Sequence, residues 1–246
     1  MFLRFPAALI LITIFTVNIN RSSYCSRVLI WWGNVDPLIQ LLKSKPDVLE
    51  LLGRIWEILY IEDSTPDIGV RRQSVIQEML REEFGLEVSP APSMERGWDF
   101  SIFIGGWRRY SLKTTGKINT IKVAWNGFPS IERARRFQFK HPILYITGSR
   151  RERRISVYVF EVEDLEELKR EAGDEMWWIP RRGTNPRGFG IRSKAVRELI
   201  EKAKRKGNFA TVRYQPINID GIRGKYWKEW YDVLKGLALE FKKGTP

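Results

Sequence analysis

The hydrophobic pattern of this chain changes period once. Between Leu38 and Phe84 the apolar residues recur at mixed three-and-four spacing, whereas from Trp98 onward they alternate. The first period marks amphipathic helices and the second half-buried strands. A helical section feeding into strands with helices among them predicts one α/β domain. Its centre is a mixed β-sheet of about five strands flanked by helices.

Punctuation residues place the elements. Asp36-Pro37 offers an N-cap and a proline at the first helical position, and Lys45-Pro46 divides residues 36–60 into two helices. The turn Ser64–Asp67 opens a helix that runs to about Phe84 and stops at Gly85. Trp98–Ile104 and Arg108–Thr115 read as strands joined through Gly105-Gly106, followed by a strand near Ile118–Val123 and a basic helix over Ser130–Phe139. Strands at Ile143–Thr147 and Ile155–Val162 precede an acidic helix at Asp164–Glu171. A helix at Ser193–Lys206, capped by Ser193 and ended by Gly207, leads to a strand at Phe209–Tyr214 and a final helix at Tyr226–Phe241.

Composition narrows the chemistry. The 246 residues are 43% hydrophobic and include ten tryptophans, enough for a packed core. A single cysteine, Cys25, excludes an intramolecular disulfide framework and a Cys-rich zinc site, and a single histidine, His141, excludes His-pair zinc motifs. Carboxylates and lysines are left to carry any hydrolysis. The net charge is +13 and unevenly spread: residues 1–27 carry +3, residues 28–95 carry −6 and residues 96–246 carry +16. So basic a section, interleaved with aromatics, suggests a polyanionic partner such as nucleic acid.

Residues 1–27 form an apolar leader, Arg4 followed by the run Phe5–Val17, that resembles a signal peptide without a clear cleavage site or marks a downstream true start. The run is short for a membrane span. The expected domains are therefore this leader and a single domain over 28–246. Within the latter, 28–95 is helical and 96–246 basic, and the expected location is cytoplasmic.

The stretch Trp98–Lys113 carries the chemistry. Asp99 opens one strand, and Ser111 and Lys113 share one face of the next, with Tyr110 and Leu112 on the other. Register decides whether they meet. A two-residue Gly105-Gly106 turn opposes Asp99 to Leu112. A three-residue loop, Gly105–Trp107, opposes it to Lys113 and is the register expected here. A carboxylate, a hydroxyl and an ammonium on one face suit phosphodiester hydrolysis: the carboxylate holds a hard divalent cation, and the lysine positions water and offsets developing charge. The alternative is an ordinary cross-strand ion pair.

Asp99 followed by Ser111-x-Lys113, behind a helix bearing acids, resembles the PD-(D/E)xK nuclease superfamily, type II restriction endonucleases in particular. The resemblance covers roughly Pro66 to Val162. It implies a restriction-endonuclease-like core, Mg²⁺ as the metal, double-stranded DNA as the substrate, no small-molecule cofactor and a homodimer. Two positions depart from the pattern: Trp98 precedes Asp99 where the family has proline, and Ser111 stands where it has Asp or Glu. The resemblance therefore implies a metal ligand recruited from elsewhere, with Glu78 favoured over Glu82, Glu95 and Glu161. The catalytic set is Asp99, Ser111 and Lys113, with Asp99 and Glu78 on the metal.

A second stretch, Arg181–Lys194, holds five bases and no acid, with glycines that permit close backbone approach. Arg181, Arg182, Asn185, Arg187 and Lys194 are the expected DNA contacts, since Arg and Asn can make bidentate bonds to purine edges. Arg133, Arg135, Arg136, Lys140 and the arginines of 150–154 would follow phosphates rather than read bases, or else form a solvated face. His141 and Trp177-Trp178 read as structural. The expectation is a Mg²⁺-dependent type II restriction endonuclease. A repair or junction-resolving nuclease and a non-catalytic nucleic-acid-binding protein are the alternatives.

Overall fold

A computed structural model describes residues 35–59, 68–92, 97–125, 127–180 and 187–218, together with Glu95 and scattered positions of 225–236. These all belong to one unit, Trp32–Pro246. The apolar leader, the turn Ser64–Asp67 and most of the expected final helix lie outside the described residues.

Local chemistry starts each helix where the sequence suggests. The Asp36 carboxylate accepts the Leu38 N–H at 2.8 Å, and Pro37 opens α1 (Pro37–Ser44). Lys45 leaves helical geometry and Pro46 begins α2 (Pro46–Leu59). The third helix, α3 (Ile68–Phe84), ends at Gly85 in the left-handed region. All three send apolar side chains, among them Leu38, Leu52, Trp56, Ile76 and Leu80, into one core.

The strands that follow are β1 (Val88–Pro90), β2 (Phe100–Phe103), β3 (Trp107–Thr115), β4 (Ile121–Ala124), β5 (Ile143–Ser149) and β6 (Arg154–Phe160). They are completed by β7 (Trp177–Trp178), β8 (Phe189–Ile191) and β9 (Phe209–Arg213). Six of them form the central sheet in the order β1-β2-β3-β5-β6-β9. Only β3 and β5 run parallel within it; the other pairs are antiparallel. The remaining helices are α4 (Ile131–Arg135), α5 (Val162–Ala172) and α6 (Ser193–Lys206).

Alternation along the strands divides two cores. Leu112, Leu144, Ile146, Val157 and Val159 face α1–α3. Ile143, Tyr145, Tyr158 and Phe160 face a second core with Leu165 and Leu168 of α5 and Val196, Leu199 and Ile200 of α6. A three-stranded sheet, β4-β8-β7, supplies Ile121, Trp177, Phe189 and Ile191 to this second core.

The fold class is the expected one, a mixed sheet flanked by helices, with details corrected. The central sheet has six strands, because β1 is only three residues long and lies in what reads as a proline-rich loop. The small sheet was not expected, since its strands β7 and β8 are too short to show a period. Helix α4 stops at Arg135 because Phe137 and Phe139 pack against Trp177, at ring separations of 6.3 and 6.1 Å. Strand β6 ends at Phe160, and Val162 already belongs to α5. Arg192, not Ser193, is the N-cap of α6, and no side chain caps it. Trp177 is core, as expected.

Candidate active site

Strand β3 changes partner halfway along its length. Trp107–Tyr110 pair with β2, and Ser111–Thr115 pair with β5. At that handover β2 ends, and Asp99 is the residue just before it. In a parallel ladder only alternate N–H groups point to the neighbouring strand. Ser111 N–H donates to the Pro142 carbonyl at 2.9 Å. Leu112 N–H therefore points to the edge that β2 has left, where Asp99 Oδ2 accepts it at 2.5 Å. The carboxylate stands where a strand partner's carbonyl would be.

Around that oxygen the other predicted groups converge. Lys113 Nζ lies 3.4 Å from Asp99 Oδ2 and donates to the Leu112 carbonyl at 2.9 Å. Ser111 Oγ lies 3.4 Å from the same oxygen. The lysine side chain is 12% exposed and the aspartate 33%, so the pair is held by the protein yet open to solvent on one side. The Asp99 backbone is fixed on three sides. Its N–H donates to the Tyr110 carbonyl at 2.8 Å, and its carbonyl accepts from Ala91 N–H at 3.0 Å and from Gln73 Nε2 of α3 at 3.2 Å.

The register differs from the expected one. Phe100 opposes Tyr110 and Phe103 opposes Trp107, so the turn is Ile104–Gly106, with Gly105 at φ 65°. Continued, this alignment sets Asp99 beside Ser111 rather than Lys113. The turn still has three residues, so the face is unchanged and the lysine reaches the carboxylate diagonally. Ser111 and Lys113 do share one face, and Tyr110 and Leu112 are buried on the other.

The same face continues to Trp98, Arg109 and His141, for which the sequence suggests a structural role or none. Arg109 lies over the Trp98 ring at 4.9 Å, and Trp98 meets His141 edge-on at 6.5 Å. Burial, together with Arg109 and Lys140, holds the imidazole below its usual value against the opposing charge of Glu95. The odd-numbered alternation Arg109, Ser111, Lys113 could have disclosed this row. Gln73 carried no such signal.

Other expected site residues lie elsewhere. Glu78 is exposed on α3, paired with Arg81 at 2.5 Å, and lines a groove with Leu51, Ile55 and Met79. Glu82 lines the same groove. The structure does not bring Glu78 to Asp99. Among the described residues no three His, Cys, Asp or Glu side chains gather as a metal site. Glu161 is engaged by Arg108 at 2.7 Å. Arg181, Arg182 and Asn185 fall outside the described residues. Arg187 is exposed, and Lys194 pairs with Glu175 at 3.4 Å. Among the described residues no helix is long and apolar enough to cross a membrane.

A second ionic cluster sits on the opposite side of β3. Asp36, 2% exposed, accepts the Tyr110 hydroxyl at 3.0 Å and is ion-paired with Arg108, whose Nε lies 2.7 Å from Oδ2. Arg108 also holds Glu161, and the Asn208 side-chain oxygen accepts Asp36 N–H at 2.7 Å. Burial raises the Asp36, Glu161 and Tyr110 pKa values, and the Arg108 charge opposes each shift.

The mixed sheet, the flanking helices and an acid–lysine pair where β3 changes partner define a restriction-endonuclease-like fold. Comparison with solved structures agrees: the chain is similar to a restriction endonuclease in complex with substrate DNA, with a TM-score of 0.56 and 19% identity over 79% of this chain and 100% of that one. No protein-family model and no curated protein matches the chain.

Proposed function

We propose that the protein is a metal-dependent endonuclease of the PD-(D/E)xK kind, acting on double-stranded DNA as a type II restriction enzyme. The observation that carries this reading is the juxtaposition of Lys113 Nζ and Asp99 Oδ2 at 3.4 Å on a partly open face. The DNA-bound restriction endonuclease of similar fold and the +13 net charge favour a DNA substrate.

The donor set fits an oxygen-seeking divalent cation of the Mg²⁺ type, which needs only one or two carboxylates when phosphate and water complete its shell. Asp99 would hold it, with the Ser111 hydroxyl beside it in place of the acid usual in that superfamily. When bound, such an ion polarises the phosphate and lowers the pKa of water. Lys113 places an ammonium beside the scissile phosphate, where it orients the attacking water and offsets charge that grows in the transition state. Leu112 N–H and the backbone bonds of Asp99 keep the carboxylate in position, so little reorganisation precedes the reaction. As in the enzymes it resembles, two copies would cut a short palindrome, each strand by one subunit.

The test is incubation of the purified protein with supercoiled plasmid and with branched DNA in Mg²⁺. Discrete fragments from the plasmid are expected. Cleavage of branched DNA alone would redirect the reading to junction resolution, and absence of cleavage with Mg²⁺ or Mn²⁺ would overturn it.

A further inference from the structure

Two large aromatic side chains stand in solvent next to the small sheet. Trp125, just after β4, is 62% exposed, and Phe128 is 75% exposed. Exposed aromatic surface on a charged protein is a candidate contact site, the more so where the backbone that presents it is held in place. Here it is held. Gly188 N–H, next to β8, donates to the Gly127 carbonyl at 3.0 Å. Arg133 of α4 donates to the Phe128 carbonyl at 2.5 Å, and Ser130 Oγ accepts Arg133 N–H at 3.2 Å.

Backbone geometry favours glycine at both positions, and Gly188 has no room for a side chain. Gly127 and Gly188 have φ of 80° and 73°. A Cβ on Gly188 would meet the Ala124 carbonyl oxygen at 1.7 Å. The sequence thus spends two glycines on locking together the segments that present these rings. Phe103 and Trp107, at the β2–β3 turn, differ: they are 47% and 52% exposed and cover each other edge-on at 5.7 Å.

Charge identifies the occupant. Lys122 Nζ lies 4.8 Å from the centre of the Trp125 ring, and residues 96–246 as a whole carry an excess of positive charge. Exposed aromatic rings on a held backbone, one of them with a cation beside it, match unpaired nucleotides, whose bases stack and whose phosphates meet the cation. A duplex keeps its bases stacked on one another and offers no free face to such rings.

We propose that Trp125 and Phe128 form a stacking site for unpaired nucleobases, adjoining Lys122. This goes beyond cleavage of double-stranded DNA and does not require that the protein cleave. The probes are a fluorescein-labelled sixteen-nucleotide oligo(dT) and an abasic strand of equal length and charge, titrated in EDTA at several salt concentrations.

The full chain should bind the oligo(dT) at least about tenfold more tightly than the abasic strand. The double variant Trp125→Ala, Phe128→Ala should bind both strands alike with the salt dependence unchanged, because no cation is removed. Trp125→Phe, which keeps a ring, should retain the preference and controls for folding. Equal binding of both strands by the unaltered protein, binding of neither, or a preference that survives the double variant would overturn the proposal. Plasmid cleavage is measured separately, so the nuclease reading stands or falls on its own.

Discussion

Strand β3 carries two carboxylate–cation clusters, and they are built in opposite ways. On one side Asp36, Arg108, Tyr110 and Glu161 close on themselves: the Asp36 side chain is wholly buried, and hydroxyl, guanidinium and backbone N–H groups all converge on it. On the other side Asp99 and Lys113 stand 3.4 Å apart, with the aspartate one-third exposed. This network ties the start of α1, the centre of the sheet and the end of β6 around a carboxylate that solvent does not reach, while Arg108 and Glu161 keep 31% and 20% of their side chains exposed. The open one has a carboxylate that solvent reaches beside an ammonium donor held in place, as a catalytic site needs. Burial of the carboxylate, more than charge, separates the two ion pairs on this strand.

Three predictions test that separation. Asp99→Ala should reduce Mg²⁺-dependent cleavage by at least about 10²-fold while leaving salt-sensitive DNA binding intact, as measured by plasmid nicking and by anisotropy. Arg108→Ala should do the reverse. It strands the buried Asp36 carboxylate and should cost about 3 kcal/mol in chemical denaturation, with near-normal cleavage by the molecules that remain folded. Loss of cleavage without loss of stability in Arg108→Ala would contradict the division of roles. Ser111→Ala should slow cleavage by about tenfold or less, since its hydroxyl stands 3.4 Å from the carboxylate it would assist.

The smallest effect concerns His141. Burial and the neighbouring Arg109 and Lys140 hold its folded pKa below the usual 6.5, against Glu95, with Trp98 packed edge-on. A depressed folded pKa means that stability is present in full above the unfolded value and is lost as pH falls through the folded one. His141→Gln should therefore lose less stability than the unaltered protein between about pH 7 and pH 5, a difference readable in denaturation midpoints. A steeper loss in the variant would contradict the placement.

Much of this organisation was legible because local chemistry and tertiary structure agree. Asp36-Pro37, Lys45-Pro46, Gly85 and Gly207 bound the helices where their side chains and φ preferences require. The alternation around Lys113 placed it on the face of Ser111. The exact turn was not legible: Ile104 is buried, and the cost of exposing it is a tertiary matter that the glycines beside it do not encode. Nor was the buried cluster, since Asp36 has a sufficient local reason to be present as a helix cap. The resemblance also favoured Glu78, as a glutamate on the preceding helix, but α3 turns Ile76 and Leu80 to the core and leaves Glu78 beside Arg81.

The most direct measurement is the single-turnover rate of plasmid cleavage by Lys113→Ala in Mg²⁺, read beside its unfolding midpoint. The ammonium has no structural partner beyond Asp99 and the Leu112 carbonyl among the described residues. The rate should fall by at least about 10²-fold with the midpoint almost unchanged. A variant that cuts as fast as the unaltered protein would show that this lysine is an ordinary ion pair and that the site lies elsewhere.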